Sequence, residues 1–165
     1  KEKIEMEVKK INEKYIRKGS IYGVCNYYKR LSGELCQEDN CKGYGVDAHS
    51  LDGAIRSMNQ LKYECAATEG TQLYQIVVYL THSELVKFGS SLYFSKENAS
   101  DCIGNFIYSK GLQNVCFIFD GEGYVLFRFI INSVSAITGE LYEKPDMLVE
   151  EIKEFVFDQM FPYLK

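Results

Sequence analysis

FDGEGYVLFRFIINSVSAITGELY, residues 119–142, decides how the rest of the chain is read. It opens on DGEG, whose glycines suit a hairpin turn, and continues as an apolar, β-branched and aromatic run, YVLFRFIINSV, long enough for a principal strand. Alternate side chains of a strand share a face. Val125, Phe127, Phe129 and Ile131 therefore form one continuous apolar surface. Tyr124, Leu126, Arg128, Ile130 and Asn132 point the other way, and there a lone arginine interrupts the row. A charge in that place needs water, a carboxylate or a bound anion, because burying it unpaired is costly. Snorkelling to solvent, pairing with an acid and holding a phosphate are the three outcomes.

Upstream, NVCFIF (residues 114–119) reads as the short apolar partner strand of the hairpin, and TQLYQIVVYLT (71–81) as a further buried strand. HSLDGAIRSMNQLKYECA gives a helix from about Leu51, capped by Ser50, with Leu51, Ile55, Met58, Leu61 and Cys65 on one face. SKENASDCIGNFIYSKG gives a second, with Ser95 as its N-cap, Gly111 as its stop, and Cys102, Ile103, Phe106 and Ile107 as its apolar stripe. TGELYEKPD turns the chain into a last helix starting near Pro145 or Asp146, with Leu148, Ile152, Phe155 and Met160 inward.

The beginning of the chain is less determinate. Ile4, Val8, Ile11 and Tyr15 keep helical spacing, while MEVKKI also alternates as a short strand would. SIYGVCNYYKR suits either state, and LSGELCQEDNCKGYG reads as a loop with a strand at Leu35. The order of elements implies an α+β domain over residues 1–165, with a central antiparallel sheet flanked by helices that cover one of its faces.

Composition fits a single domain: 165 residues, 46% of them hydrophobic and only two prolines. The formal net charge of −4 does not favour nucleic acid or an anionic membrane as a matter of overall field. No run reaches the about 18 apolar residues of a membrane span. The first residues are charged, not an apolar signal core, so a cytoplasmic protein is expected. Six cysteines lie on expected core elements and not on a loop-rich framework, which favours reduced thiols over disulfides. A zinc site from Cys36, Cys41, His49 and Cys65 is conceivable, but its spacing is not that of a finger or ribbon, and no metal or other cofactor is expected. Cys65, Cys102 and Cys116 have no neighbouring pattern that would make them nucleophiles. Tyr27, Tyr28, Lys29 and Arg30, within NYYKR, interleave aromatic and basic side chains in a way that suits stacking on single-stranded bases.

The segment FIINSVSAITGELYE resembles the end of the catalytic strand in relaxases, the mobilisation nucleases of conjugative plasmids and transposons within the HUH endonuclease superfamily. In that family a histidine-rich strand is followed by N-S-V-S and a turn of the type x-x-G-K-x-Y. Asn132, Ser133, Val134, Ser135, Gly139 and Tyr142 match in order and spacing. Weaker collinearity extends over residues 20–163. The resemblance implies a relaxase-like (HUH palm) fold. It also implies a chemistry of two parts: a tyrosine that attacks a DNA phosphate, and three histidines that hold a divalent metal against it.

Neither part carries over. Aligned through NSVS, the three ligand positions fall on Phe119, Leu126 and Arg128, and a further family histidine falls on Tyr124. Aligned through SIYG, the nucleophile falls on Gly23, with Tyr22 beside it as the fallback. His49 and His82, the two histidines of the chain, match no ligand position. The resemblance thus implies a catalytically degenerate relaxase-like domain of a mobile genetic element, with no nicking activity. Its expected partners are single-stranded DNA, bound through Arg128 and residues 27–30, or another mobilisation protein. The alternative is a protein-interaction domain that keeps only the fold. A metal-dependent nuclease with other ligands is disfavoured, because two histidines cannot rebuild a three-histidine site.

Overall fold

A computed structural model describes residues 3–32, 41–89 and 92–163. Five strands, β1 (Glu7–Lys10), β2 (Cys41–Tyr44), β3 (Leu73–Thr81), β4 (Asn114–Asp120) and β5 (Tyr124–Asn132), form one sheet in the order β1-β3-β5-β4-β2. All four pairings are antiparallel. The helices are α1 (Ser20–Ser32), α2 (Leu51–Glu64), α3 (His82–Leu85, continued by a 3-10 turn, Val86–Phe88), α4 (Leu92–Ser109) and α5 (Pro145–Met160). The fold is α+β with an antiparallel sheet, and β5 is its central strand. No helix among the described residues is long and apolar enough to cross a membrane.

The alternation expected of β5 is what the sheet uses. Val125, Phe127, Phe129 and Ile131 join Ile76, Val78 and Leu80 of β3 and Cys116 and Ile118 of β4 beneath α4 and α5. On the opposite face, Ile130, Val115, Phe117 and Leu73 pack under Ile21 and Cys25 of α1 and Ala54, Ile55 and Met58 of α2. Helices therefore cover both faces and not one. The reason is visible in β4, where both alternate sets are apolar: a strand that is hydrophobic on either side needs cover on either side. Phe117, Phe127 and Phe129 are buried completely, and each such ring contributes about 2–3 kcal/mol of transfer free energy.

The early ambiguity resolves by tertiary pairing. Residues 7–10 form a strand and not a helix, because Val8, opposite Val78, fills the edge of the α4/α5 core. Ile4, which a helical stripe would bury, is exposed. Residues 20–32 form a helix that turns Ile21, Cys25 and Tyr28 onto the sheet. Helix α2 begins at Leu51 under the Ser50 cap, whose Oγ accepts from Gly53 N at 2.9 Å. Its buried face includes Ala54, Ile55, Met58 and Lys62, while Leu51, Leu61 and Cys65 are half-buried.

Helix α4 starts at Leu92, so Ser95 lies inside it, fully buried, and is not the cap. Gly111 does follow its end at φ +82°, a conformation that favours glycine. Ala99, Ile103 and Ile107 are its core residues; Cys102 and Phe106 are half-buried. Within it, Gly104 lets β2 approach: a Cβ there would fall 2.2 Å from the Tyr44 ring, whose hydroxyl bonds Ser100 and Asp101. In α5, Leu148, Ile152 and Met160 are buried as expected, with Val149 and Val156. Phe155 instead stacks on Phe106, with ring centroids 4.4 Å apart. The strand expected at Leu35 lies outside the described residues.

Candidate functional site

The NSVS segment is structural. Asn132, fully buried, donates from Nδ2 to Met58 O and to Gln113 Oε1, both at 3.0 Å, and its backbone N–H donates to Gln113 O. Ser133 Oγ accepts from Lys62 Nζ at 2.6 Å, and its carbonyl accepts from Tyr142 N. Val134 pairs with Leu141 in an isolated bridge. Ser135 Oγ donates to Lys110 O and accepts from Ile137 N. Gly139, at φ +71°, donates its N–H to Ser135 O. Tyr74 of β3 donates its hydroxyl to Tyr142 O. These polar groups stitch the end of β5 to α2, to the end of α4 and to β3. They hold the sheet's partners in place, and Asn132, Ser133, Val134 and Ser135 are buried.

Lys62 is the unexpected member. It is 2% exposed, its ammonium donates among the described residues to the Ser133 hydroxyl alone, and burial pushes its pKa down to about 8.

The other half of the opening stretch forms a surface. Pairing places Leu126 of β5 between Tyr79 of β3 and Phe119 of β4, and Arg128 between Val77 and Phe117. Phe119, Leu126 and Arg128, the three degenerate positions, are therefore neighbours on one face, with Tyr124 one step further along β5. Helices α1 and α2 cover only one end of this face. Val77, Tyr79, Tyr124 and Leu126 are half-exposed and belong to neither buried cluster. Tyr79 and Tyr124 stack on each other, with centroids 4.8 Å apart and an interplanar angle of 30°.

Arg128 lies at the boundary between the covered and open ends. Its Nη1 donates to Gln75 Oε1 at 2.8 Å, and its guanidinium carbon sits 4.4 Å from the centroid of the Tyr28 ring. Its Nε is buried without a partner. Among the described residues no carboxylate comes within ion-pair distance, so the acid pairing weighed for this arginine is not what is seen. Instead Gln75 Nε2 donates to Tyr15 Oη, and Tyr15 donates to Glu13 at 2.5 Å. Burial, reinforced by Glu13, raises the Tyr15 pKa well above its ordinary value.

Of the residues singled out in α1, the helix turns Tyr28 onto the sheet, tilted against Phe117 and edge-on to Phe119. Tyr27 is exposed and meets Tyr28 edge-on. Tyr22 and Gly23 lie on the solvent side of the helix, and a Cβ at Gly23 would meet no other atom within 4 Å. Lys29 and Arg30 are exposed in the last turn. The tyrosine brought to the degenerate positions is thus Tyr28, and neither the aligned position Gly23 nor the fallback Tyr22. Sequence reading missed Gln75, Tyr79 and Tyr15; the alternation of β3, which puts Gln75, Val77 and Tyr79 on one face, was the available signal.

His49 is exposed, its Nδ1 2.8 Å from Asp47 Oδ1, a contact that lowers the Asp47 pKa. His82 opens α3. Among the described residues no three His, Cys, Asp or Glu side chains gather as a metal site, and Cys36 lies outside those residues. Cys25 and Cys116 are buried thiols; burial pushes Cys25 up to about 12 and raises Cys116 further. No protein-family model, no curated protein and no solved structure matches the chain.

Proposed function

We propose that this is a relaxase-like domain of a mobile genetic element that lacks nicking chemistry and binds single-stranded DNA across the open end of its sheet, as an accessory to conjugative mobilisation. The observation that carries the binding reading is Arg128. A guanidinium on the central strand, beneath an aromatic ring and with no carboxylate among the described residues to neutralise it, is suited to a phosphate. Two things support the relaxase-like ancestry: the match at residues 132–142, and the grouping of Phe119, Leu126 and Arg128 on one face. Phenylalanine, leucine and arginine cannot ligate a metal, which argues against a retained metal-assisted cleavage. Arg128 supplies a single fixed charge there, enough to hold an anion without activating a nucleophile.

Incubation with single-stranded DNA and Mg²⁺ or Mn²⁺ is expected to give no covalent protein–DNA adduct. Retardation of single-stranded DNA at low salt is expected, weakening as salt rises and lost in Arg128→Ala. An adduct overturns the loss of chemistry, and absence of retardation at low salt overturns the binding. The second reading, a protein-interaction domain, is favoured by exposed Tyr22, Tyr27 and Leu31 on α1.

A further inference from the structure

The open end of the sheet face carries more than an arginine. Tyr79 and Tyr124 come from the adjacent central strands β3 and β5, and their rings are already stacked. The Tyr124 ring lies flat on the hairpin turn: a Cβ at Gly121 would fall 2.2 Å from its Cζ. The ring is thereby in contact with the turn backbone as well as with Tyr79, which fixes the orientation of the pair before any ligand arrives. Val77 and Leu126 flank the pair with half-exposed apolar surface that belongs to neither buried cluster. Glu7 and Lys9 of β1, in register with Tyr79 and Val77, pair with each other at 2.9 Å, and Lys3 and Glu5 lie beside Tyr79 and pair at 4.0 Å. Arg128, further along this face, makes no ion pair among the described residues.

We propose that the stacked Tyr79–Tyr124 pair is a base-stacking platform, so that the ligand of this face is a single strand of at least two nucleotides, with one unpaired base on the rings and a phosphate on Arg128. This rests on the nucleic-acid reading above and adds the residues that take the base. Tyr124 and Arg128 are four residues apart along one strand, about 13–14 Å. Tyr79, opposite Leu126, stands two register steps from Arg128, about 7 Å, so the platform and the guanidinium together mark a backbone span that a strand of two nucleotides covers. A duplex offers no free base face to rings lying on a sheet, whereas every unpaired base does. The platform is therefore indifferent to base identity and selective for single strands.

The test is fluorescence anisotropy at low salt with oligo-dT, oligo-rU, a fully abasic strand of the same length and a blunt duplex. Wild-type protein is expected to bind an unpaired strand at least about tenfold more tightly than either the abasic strand or the duplex. Tyr124→Leu and Tyr79→Leu are expected to lose that preference while leaving abasic binding unchanged; Arg128→Gln is expected to weaken all of the ligands. Tighter binding of oligo-dT than of oligo-rU, or the reverse, assigns the strand as DNA or RNA under the same proposal. Equal affinity for abasic and base-bearing strands overturns the platform and leaves the phosphate contact standing. The abasic comparison uses wild-type protein, so it decides the matter even if a tyrosine variant fails to fold. No binding of any oligonucleotide overturns the platform and the reading beneath it together, and leaves a protein as the occupant of the face.

Discussion

Replacing Lys62 by methionine should stabilise the protein at neutral pH, and the gain should vanish in alkali. The lysine is buried against Ser133 and its pKa is pushed from 10.5 to about 8 by desolvation. Lowering a pKa by one costs the charged form about 1.4 kcal/mol, so holding the ammonium inside costs about 3 kcal/mol relative to the unfolded chain. Below pH 8 both states are protonated and the full cost is present. Between pH 8 and 10.5 the unfolded chain still holds the proton that the folded chain has released, so stability rises with pH; above 10.5 the cost has gone. Methionine fills a similar volume without charge. It forfeits the bond to Ser133 Oγ and leaves that hydroxyl buried without its donor, together about 1–3 kcal/mol, which leaves a net gain of at most about 2 kcal/mol near pH 7.

Urea unfolding of both proteins from about pH 7 to 10.5 measures this, since that range spans both pKa values. Cys25 and Cys116 act in the opposite sense, because their raised pKa values make the folded state keep protons that the unfolded chain loses. They are common to both proteins, so the readout is the difference between the two stability curves. That difference should shrink, and then reverse by about the worth of the lost hydrogen bond. A difference between the two proteins that does not change with pH over this range would refute a desolvated ammonium at this site.

Two further perturbations test the scaffold. Asn132→Ala removes both side-chain bonds to Met58 O and Gln113 Oε1 and leaves those acceptors buried; a loss of about 2–3 kcal/mol is expected by urea unfolding, with the m-value unchanged. Gly104→Ala drives a methyl into the Tyr44 ring and should lower the melting temperature by several degrees, through a cost of about 1–3 kcal/mol, with partial recovery when Tyr44→Leu is added.

The hairpin β4–β5, strand β3 and helices α2 and α5 were legible because local signals agree there: alternation within the strands, DGEG between two of them, Ser50 before α2 and Pro145 at the start of α5. The segment at Val8 was not, since its strand state depends on pairing with Val78, far away in sequence. Helices on both faces could have been inferred from β4, whose Val115 and Phe117 are as apolar as Cys116 and Ile118. Arg128 was legible as an anomaly, but its partners were not. Gln75, Tyr28 and the Tyr79–Tyr124 pair reach it or its face only through the register of β3 against β5 and the rotation of α1. Lys62 follows Met58 by four residues and so falls on the buried stripe of α2; its residue type, not its position, argued for solvent.

The opening stretch divides physically into two parts that tolerate change differently. Residues at 124, 126 and 128 stand on a half-exposed face, where a substitution that keeps strand propensity costs little folding free energy. Asn132, Ser133 and Ser135 are buried, and their hydrogen bonds hold α2, α4 and β3 to the end of β5. Losing any one of them leaves buried polar groups unpaired, at about 1–3 kcal/mol each, a large part of a marginal total stability. Under the relaxase-like reading, this predicts which features outlast the enzyme. Metal ligands on the open face can drift to phenylalanine, leucine and arginine once cleavage is no longer required, while the buried NSVS latch persists for as long as the domain must fold. A match confined to the latch is therefore a statement about architecture. The chemistry of the face has to be read from the side chains on it; at its centre those are aromatic rings, aliphatic groups, the Gln75 amide and one guanidinium that makes no ion pair among the described residues.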